Sequence, residues 1–459
     1  MPVAVLWHLH QPEYRDPVTG IPVMPWTRLH GLRGYLDLLT TSVEHEVPWT
    51  VNIVPGLWDQ LEHYANGGTD EHLELTRVPA DALDAAQVAI VRRTFPCGHP
   101  RMRSTPRYRA LEARIEAGDP LSVPELRDLQ VLSTLVWCGA VARRDPAISA
   151  LFAKGEGFTE ADKQALLEVQ GRVLAGYPDL LAAFAGAEGP ALSTTPLHHP
   201  ILPLLIDLGF SARSVHTPPP TELALPAHAR LHLERGRARM EGASGRTIRG
   251  CWPSEGAVCP ELVPMLAEVG FRWVATDEGV LARSEREGAG EGGWDLGHGV
   301  VGFFRDRALS DRVGFDYARH PAEDAVEDFF ERAASDGVKV VALDGENPWE
   351  AFPDAGEAFL AGLVEGLRSE GITLDAAAER PVVGRVDRLH TGSWIGANLE
   401  IWAGHAEDHR AWALLADTVE AVGDAPEAVE PLLAAEGSDW FWWYGVDQTT
   451  PSNDDSPFD

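Results

Sequence analysis

Short apolar runs recur along the first 350 residues of the chain, and stretches with helical periodicity separate several of them. Apolar runs of this length predict β-strands that are buried on both faces, as in a parallel sheet. Because parallel strands need long crossovers, usually helices, the alternation favours an α/β fold with right-handed connections. We predict a parallel sheet closed into a barrel, with active residues at the carboxyl ends of its strands. The predicted strands are PVAVLWH (2–8), WTVNIV (49–54), ALSTT (191–195), TIRGCW (247–252), RWVATD (272–277), VVGFFR (300–305) and KVVALD (339–344).

Helical patterns outside this alternation predict two further regions. The stretch from about 60 to 185 is rich in Ala, Leu, Glu and Arg and predicts an inserted group of helices. The pattern is helical again after residue 400. We therefore expect a barrel over 1–385 with this insertion, followed by a C-terminal helical region over 386–459. Individual helices are predicted at 260–270, 325–337, 407–423 and 425–437, and a Gly- and Glu-rich piece at 284–299 predicts an exposed loop or hairpin.

The charge of the chain limits the partners that it can bind. The net charge is −32 at pH 7, which repels nucleic acid and anionic membranes but not a neutral polysaccharide. No stretch approaches the roughly 20 apolar residues of a membrane span, and the N-terminus carries no leader pattern. Four scattered cysteines predict reduced thiols and neither a disulfide framework nor a zinc site. Together these features predict a soluble cytoplasmic protein.

Tryptophan is unusually frequent, with fifteen tryptophans against seven tyrosines. Indole rings fill hydrophobic cores, and their flat faces also match the C–H face of a pyranose ring. Composition does not separate these two uses. The position of each ring relative to the strand ends does.

The first predicted strand ends in WHLHQPEY (7–14). His8 and His10 are two residues apart, so on a strand their side chains point to the same side. This spacing suits a metal site and equally suits hydrogen bonds to a substrate. A pair of hydrogen-bonded structural histidines is the third interpretation.

Two later strands end in carboxylates. Glu255 lies in CWPSEG, just after the predicted strand that ends at Trp252. Asp344 ends the strand KVVALD, and Glu346 and Trp349 follow it closely. Glycosidic cleavage requires two such carboxylates, one to attack the anomeric carbon and one to protonate the leaving oxygen. The negative charge of Glu346 would favour the acid form of Asp344. The alternative is a turn that is merely rich in acidic residues.

The C-terminal part has more aromatic residues than a small helical unit needs. Segment 389–412 contains Trp394, Trp402 and Trp412, and SDWFWWYG follows at 438–445. We interpret these rings as a cover that closes over a sugar. The competing interpretation is that they attach the C-terminal helices to the barrel.

Five ordered motifs resemble glycoside hydrolase family 57, namely HLHQP, STTPLHHPILPLL, CWPSEGAV, LDGENPWE and WIGANLEIW…GHAEDHRAW. The resemblance covers nearly the whole chain and is closest to the α-amylase and amylopullulanase-like members. It implies an α/β fold, an incomplete (β/α)7 barrel, followed by a helical region that completes the active site. It also implies a retaining reaction on α-glucosidic bonds of starch, glycogen or maltooligosaccharides, with no cofactor and no catalytic metal.

The resemblance also assigns roles to single residues. The glutamate of WPSEG, Glu255, is then the nucleophile, and the aspartate of LDGEN, Asp344, is the general acid/base. His10 would contact the sugar in the cleavage subsite, with His8 beside it. The remaining positions similar to substrate contacts are His199, Trp252, Glu346, Trp349, Trp394 and Trp402.

The chain departs from the family pattern in three places. Ala191 stands where a glutamate often precedes the STTP-like segment, and Leu197 stands where a tyrosine is common ahead of HHP. The sequence also ends at Asp459, whereas many relatives continue into further helices. We therefore expect a missing sugar contact and an altered substrate range, with the acid pair intact.

Three other functions compete with a hydrolase. A 4-α-glucanotransferase or a branching enzyme would pass the same glucosyl-enzyme to a sugar hydroxyl. A metal-dependent amidohydrolase would use His8 and His10 but needs a lysine at a strand end, and no lysine of this chain is so placed: Lys154, Lys163 and Lys339. A non-catalytic glucan-binding protein would share the fold without turnover. The sequence does not indicate an oligomeric state.

Overall fold

A single mixed sheet organises the part of the chain that the structure, a computed structural model, describes: residues 2–346, 348–423 and 425–445. Within these ranges the sheet has ten strands. They are β1 (Val3–Leu9), β2 (Thr50–Ile53), β3 (Ala191–Thr194), β4 (Gly250–Cys251), β5 (Trp273–Asp277), β6 (Glu285–Gly288), β7 (Trp294–Asp295), β8 (Val301–Arg305), β9 (Lys339–Asp344) and β10 (Gly384–Arg388).

The seven predicted strands are confirmed as β1 to β5, β8 and β9. They lie in the order β8-β5-β4-β3-β2-β1-β9, and every neighbouring pair is parallel. The carboxyl ends of all seven strands therefore meet at one edge, which is where a barrel of this kind presents reactive groups. The predicted α/β fold is correct.

The barrel closes without a ladder between β8 and β9. The backbone N–H of Asp306 donates to the carbonyl of Val340 at 2.8 Å, and the Arg305 guanidinium donates to the carbonyl of Ala342 at 3.1 Å. Side-chain and single backbone bonds thus take the place of a strand pair, and the barrel is incomplete. The Gly-rich piece at 284–299 supplies β6 and β7, which continue the sheet beyond β8 together with β10.

Helices surround the sheet on its outer face and extend beyond it. Before β3 the structure has α1 (Trp26–His30), α2 (Gly34–His45), α3 (Pro55–Ala65), α4 (Glu71–Arg77), α5 (Ala85–Thr94), α6 (Pro106–Glu116), α7 (Val123–Leu135), α8 (Pro146–Lys154), α9 (Glu160–Ala175) and α10 (Tyr177–Gly186). Between β3 and β10 it has α11 (Leu202–Ile206), α12 (Pro226–Ser244), α13 (Leu262–Val269), α14 (Glu278–Arg283), α15 (Arg307–Asp311), α16 (Ala322–Ala333), α17 (Pro348–Ala351), α18 (Glu357–Glu370) and α19 (Leu374–Ala378). After β10 follow α20 (Glu400–Ala403), α21 (Ala406–Val422), α22 (Val429–Ala435) and α23 (Ser438–Trp442).

The helices between β2 and β3 form the insertion that the sequence predicts at about 60–185. They bury a hydrophobic cluster of their own, which includes Val91, Tyr108, Leu129 and Trp137. Most of these helices begin at a Ser, Thr or Asp cap, and capping boxes open α5, α7 and α9. Local sequence therefore sets the ends of these helices, and the apolar faces hold them together.

The C-terminal helices are fixed to the barrel through the loop after β3 and through α12. The carboxylate of Glu436, which is buried, accepts hydrogen bonds from His228 at 2.5 Å and from His232 at 3.0 Å. The backbone N–H of Ser438 donates to the carbonyl of His199 at 2.9 Å. These contacts place the start of α23 beside the carboxyl edge of the sheet.

Two further expectations concern the whole chain. The four cysteines are free and buried thiols, as predicted. Among the helices of the described ranges, none is both long and apolar enough to cross a membrane. The structure describes the whole segment 438–445. The rest of the predicted C-terminal region, after residue 445, lies outside the described residues.

Close packing of β4 against β5 gives a test of the fold. A Cβ at Gly250 would lie 1.8 Å from Cζ2 of Trp273, so we expect Gly250→Ala to lower the free energy of unfolding. Overpacking of this kind costs roughly 1–3 kcal/mol. In α12 a Cβ at Gly242 meets no atom within 4 Å, so Gly242→Ala should instead stabilise the chain, by about 0.4–1 kcal/mol. Urea unfolding of both variants measures the difference, and equal stabilities would contradict the packing described.

Candidate active site

The two predicted catalytic acids lie at the carboxyl edge of the sheet. Asp344 is the last residue of β9 and pairs in register with His8 of β1. Glu255 lies in the turn Ser254–Gly256, a few residues after β4. Two acids that are far apart in sequence therefore lie at the same edge of the sheet.

The backbone of Glu255 has a left-handed conformation, with φ 56° and ψ 23°. A side chain other than glycine adopts this conformation only when its surroundings hold it there. Trp394 provides two such contacts, because its backbone N–H donates to the Glu255 carbonyl at 2.9 Å and its indole N–H donates to Glu255 Oε2 at 2.8 Å. Trp394 thus fixes both the backbone and the carboxylate of Glu255.

Burial raises the pKa of Glu255 to about 7. The indole N–H of Trp394 works against this rise by binding the ionised form, whereas the negative charge of Asp344 adds to it. The positive charge of His10 lowers the pKa again. Glu255 therefore changes its charge near neutral pH, and its pKa depends on the charges of both Asp344 and His10.

Three histidines form a stack beside Glu255. The rings of His10 and His199 lie 3.9 Å apart at an interplanar angle of 16°, and His8 lies 5.5 Å from His199. Nε2 of His10 is 2.8 Å from Oδ1 of Asp439, which lies on α23. Nδ1 of His199 is 4.0 Å from Oε1 of Glu255. The stack thus joins the predicted nucleophile to the C-terminal helices.

The three imidazoles differ in charge. Burial alone would lower the pKa of His10, but the charge of Asp439 and its hydrogen bond raise the pKa above its ordinary value. Burial lowers the pKa of His8 to about 3, and burial with the charge of His10 holds the pKa of His199 well below its ordinary range. The protonated form is therefore favoured in His10, whereas burial favours the neutral form of His8 and His199.

A polar network inside the barrel holds His8. Nδ1 of His8 is 2.8 Å from Oδ1 of Asn52, and Asn52 Nδ2 donates to Ser193 Oγ at 3.1 Å. The hydroxyl of Thr195 donates to the same Asn52 oxygen at 2.8 Å. Since Oδ1 of Asn52 only accepts, the proton of neutral His8 is on Nδ1. The orientation of this ring is therefore fixed.

His10, His199 and Asp439 also come close to the arrangement of a metal site, since one ligand atom of each lies within 4.8 Å of the others. Metal ligation requires ring nitrogens to point in their own planes at one ion about 2.0–2.1 Å away. The rings of His10 and His199 are instead stacked face to face, and His10 already binds Asp439. This geometry disfavours the metal-dependent amidohydrolase.

The predicted sugar-stacking tryptophans differ in their exposure. Trp394 is partly exposed at the edge of the sheet, whereas Trp252, Trp349 and Trp402 are at most 2% exposed. Trp349 lies 5.5 Å from Trp7 in the core and donates its indole N–H to the carbonyl of Gly345. A fully buried ring has no face for a sugar, so the structure gives these three residues a packing role. For Trp402 and Trp412 the attachment interpretation, not the cover, is the correct one.

Glu346 is buried, and its pKa lies well above its ordinary value because of burial and the charge of Asp344. We expected the charge of Glu346 to act on Asp344. The structure shows the like-charge effect on Glu346 itself, since Glu346 is the more buried of the two. Burial therefore favours the protonated form of Glu346.

The two substituted positions lie in different places. Ala191 pairs with Thr50 at the amino end of β3, which is the edge of the sheet opposite to the acids. The residue at 191 therefore does not reach a sugar at the acid pair, and the expected loss of a contact there is wrong. Leu197 lies near His10 in a narrow space beside the stack.

Sequence reasoning missed Asp439 and Asn52. Asn52 is a polar residue in the apolar run WTVNIV, and this was the available signal. Asp439 stands in SDWFWWYG, where only the aromatic rings drew attention. A cavity of about 230 Å³ also lies beside Asp439 and is lined by Trp440 and Trp443, whose rings are partly exposed.

The model of the family Glycosyl hydrolase family 57 matches residues 4–380. The chain belongs to this family. It is therefore a glycoside hydrolase by family, and the motifs that carry the resemblance lie at the strand ends just described. A comparison with curated proteins gives no match.

Three solved structures resemble this glycosyl hydrolase family 57 chain in fold. The α-amylase AmyC from Thermotoga maritima has a TM-score of 0.59 at 13% identity, with 100% of this chain and 90% of that chain covered. A branching enzyme of the family from Thermococcus kodakaraensis has a TM-score of 0.57 at 14% identity, with 96% and 85% covered. The branching enzyme from Pyrococcus horikoshii has a TM-score of 0.55 at 15% identity, with 96% and 84% covered. At these identities the likeness shows a shared fold, an incomplete (β/α)7-like barrel with a helical region.

The raised pKa of Glu255 predicts a pH-dependent effect on stability. Between its ordinary value of 4.5 and its folded value of about 7, the folded chain binds more protons than the unfolded chain. Stability therefore falls as pH rises through this window, and the loss is complete above pH 7. Glu255→Gln removes the ionisation, so it should stabilise the chain at pH 8, by up to about 3 kcal/mol, and much less at pH 5. Thermal unfolding at both pH values measures this, with the exposed Glu365→Gln as control; the same shift at pH 5 and pH 8 would contradict the assignment.

Proposed function

We propose that this chain is a retaining glycoside hydrolase that cleaves α-glucosidic bonds of α-glucans by double displacement. The observation that carries the proposal is the placement of Glu255 and Asp344 at the same edge of the sheet, close enough for the charge of Asp344 to raise the pKa of Glu255. Membership of glycosyl hydrolase family 57 and the fold shared with an α-amylase support it. A neutral glucan is also a suitable substrate for a chain of net charge −32, since it is not repelled.

In the first step the carboxylate of Glu255 attacks C1 of the sugar while Asp344 gives its proton to the glycosidic oxygen. The bond from C1 to the leaving oxygen breaks, and a covalent glucosyl-enzyme remains. In the second step Asp344 takes a proton from water, the water oxygen attacks C1, and Glu255 leaves as carboxylate. The configuration at C1 is retained after two inversions.

The stacked histidines serve the ionisation of Glu255. The imidazolium of His10 lowers the pKa of Glu255 against the effect of burial, so more Glu255 is ionised at neutral pH. Asp439 in turn keeps the proton on His10 through a 2.8 Å hydrogen bond. We therefore propose Asp439 as a positioning residue that acts through His10. The partly exposed rings of Trp440 and Trp443 would stack on a sugar at the mouth of the site.

A transferase is the second candidate function. The side chain of Glu255 is only 15% exposed, and a site that excludes water favours transfer of the glucosyl group to a sugar hydroxyl. Two of the proteins with a similar fold are branching enzymes. Hydrolysis and transfer share the same acids and the same covalent intermediate, so products and not variants distinguish them.

Removing either acid should abolish turnover of maltoheptaose. We expect Glu255→Gln and Asp344→Asn each to lower kcat by about a thousandfold or more, while the exposed Glu365→Gln keeps wild-type activity. Chromatography of the wild-type products then decides between shorter sugars, from hydrolysis, and longer ones, from transfer. A variant of either acid that kept a tenth of the activity would overturn the assignment, and a first product of inverted configuration would overturn the double displacement.

The role of Asp439 predicts a change in the pH profile. In Asp439→Asn the pKa of His10 falls, so His10 loses its proton at lower pH. The pKa of Glu255 also changes, because the charges of His10 and Asp439 act on it in opposite directions. The profile of kcat/KM against pH should therefore shift, and Asp439→Glu should restore part of the wild-type profile. Asp417→Asn on α21 is the matched control. A uniformly lower rate with an unchanged profile would indicate a merely structural role for Asp439.

A further inference from the structure

A large cavity lies away from the acid pair and is lined by arginines. It has a volume of about 710 Å³ and lies between the helical insertion and the segment that follows β9. Four guanidinium groups face it, those of Arg33, Arg101, Arg143 and Arg319. A cavity of this volume is within the range of roughly 300–1,000 Å³ that is typical of small-molecule sites.

These arginines form no ion pair with a carboxylate in the described ranges, and the charges of Asp37 and Glu350 act on Arg33 only from a greater distance. The chain has 70 acidic against 38 basic residues, yet in the described ranges none of the four guanidinium groups has a carboxylate oxygen within 4.0 Å. Three of them are held by backbone carbonyls instead: Arg33 by Trp349 at 2.6 Å, Arg101 by Ala318 at 2.9 Å and Arg143 by Cys138 at 2.8 Å. Carbonyl oxygens orient a guanidinium without removing its charge.

Of the four arginines, Arg33 is the one for which the missing ion pair is most unfavourable, because its side chain is buried. It is 2% exposed, and its Nε is buried and without a hydrogen-bond partner in the part of the chain that the structure describes. Burial and the positive charge of Arg143 lower the pKa of Arg33 to about 10. A buried donor without a partner and two like charges together are both relieved by an anion.

The start of α6 adds a further feature that suits an anion. Thr105 caps this helix of 11 residues, and Ser104 and Thr105 both line the cavity. The amino end of a helix carries a partial positive charge, although Pro106 has no N–H here and Thr105 already binds the N–H of Tyr108. Two carboxylates also face the cavity, those of Glu350 and Asp354, but Glu350 already accepts a hydrogen bond from the N–H of His99, and burial raises its pKa.

We propose that this cavity binds an organic phosphate, that is, a phosphate or diphosphate group carried by a sugar or a nucleoside. The guanidinium groups would bind the phosphate oxygens, for which their planar fork is well suited. The organic part would lie against Met102, Val136, Phe152 and Phe352, which form the apolar walls. These walls and the volume favour a phosphorylated metabolite over inorganic phosphate alone.

The site is connected to the segment that follows Asp344. Arg33 holds the carbonyl of Trp349, and the next residue, Gly34, is packed so closely that a Cβ there would lie 3.0 Å from Cα of Glu346. An anion that binds Arg33 therefore affects the segment that directly follows Asp344, the last residue of β9. We expect its binding to change the rate of glucan turnover.

Calorimetric titration of the full chain with glucose 1-phosphate, with ADP and with inorganic phosphate tests the site. We expect saturable binding of at least one organic phosphate, tighter than that of inorganic phosphate. Arg143→Gln and Arg319→Gln should each weaken it by about tenfold or more, and the exposed Arg385→Gln should not. Arg319 is exposed, so its loss does not endanger folding. Absence of saturable binding at millimolar concentration, or equal affinities in all three variants, would overturn the proposal.

Turnover of maltoheptaose with and without the bound ligand tests the connection. The rate of the wild type should change on saturation, and that of Arg319→Gln should change only at higher ligand concentration. Binding without any change of rate would overturn the connection to Asp344. Because the titration does not depend on catalysis, it decides on the site even if the chain proves inactive on glucans.

Discussion

The two hydrogen bonds from Trp394 to Glu255 are the constraint on which the site depends. They hold a glutamate in a left-handed backbone conformation, which costs roughly 1–2 kcal/mol for a residue with a side chain. The indole is itself held, because the Arg305 guanidinium lies 4.6 Å above its ring and Arg305 binds the buried Asp277 at 2.9 Å. Strands β5 and β8 thereby support a residue that belongs to neither of them. Glu255 is placed by β4 but oriented by Trp394 in the segment after β10.

The charges at this edge balance one another in a way that suits acid–base chemistry. Four carboxyl groups lie near the histidine stack, and burial with mutual repulsion prevents all of them from being ionised at once. Burial and the charge of Asp344 raise the pKa of Glu346 well above its ordinary value, and the charge of Asp439 raises the pKa of His10 against the effect of burial. Glu255 is left with a pKa of about 7, so a small change in its surroundings decides its charge. Such a site can hold one ionised and one protonated carboxyl group on the two sides of a sugar.

The sequence was sufficient for the parts of the fold that depend on local patterns. Apolar runs identified all seven parallel strands, and residues placed directly after them, such as Glu255 and Asp344, were located correctly at the carboxyl edge. Exposure of single rings was not predictable, because Trp349 and Trp394 have similar positions after a strand, and only packing buries the first. The contact of Asp439 with His10 spans 429 residues, and no periodicity encodes a contact at such a distance.

Aromatic side chains close to Asp439 come from outside the barrel. The barrel supplies the acids and the buried network around His8, but the partly exposed rings beside the site, Trp440 and Trp443, belong to the helices that follow it. These helices are attached through the buried Glu436, whose bonds to His228 and His232 would leave an unpaired charge if they broke. These polar contacts act together with a buried apolar cluster, in which Trp402, Trp412 and Phe441 of the C-terminal helices pack with Ile201 and Leu204.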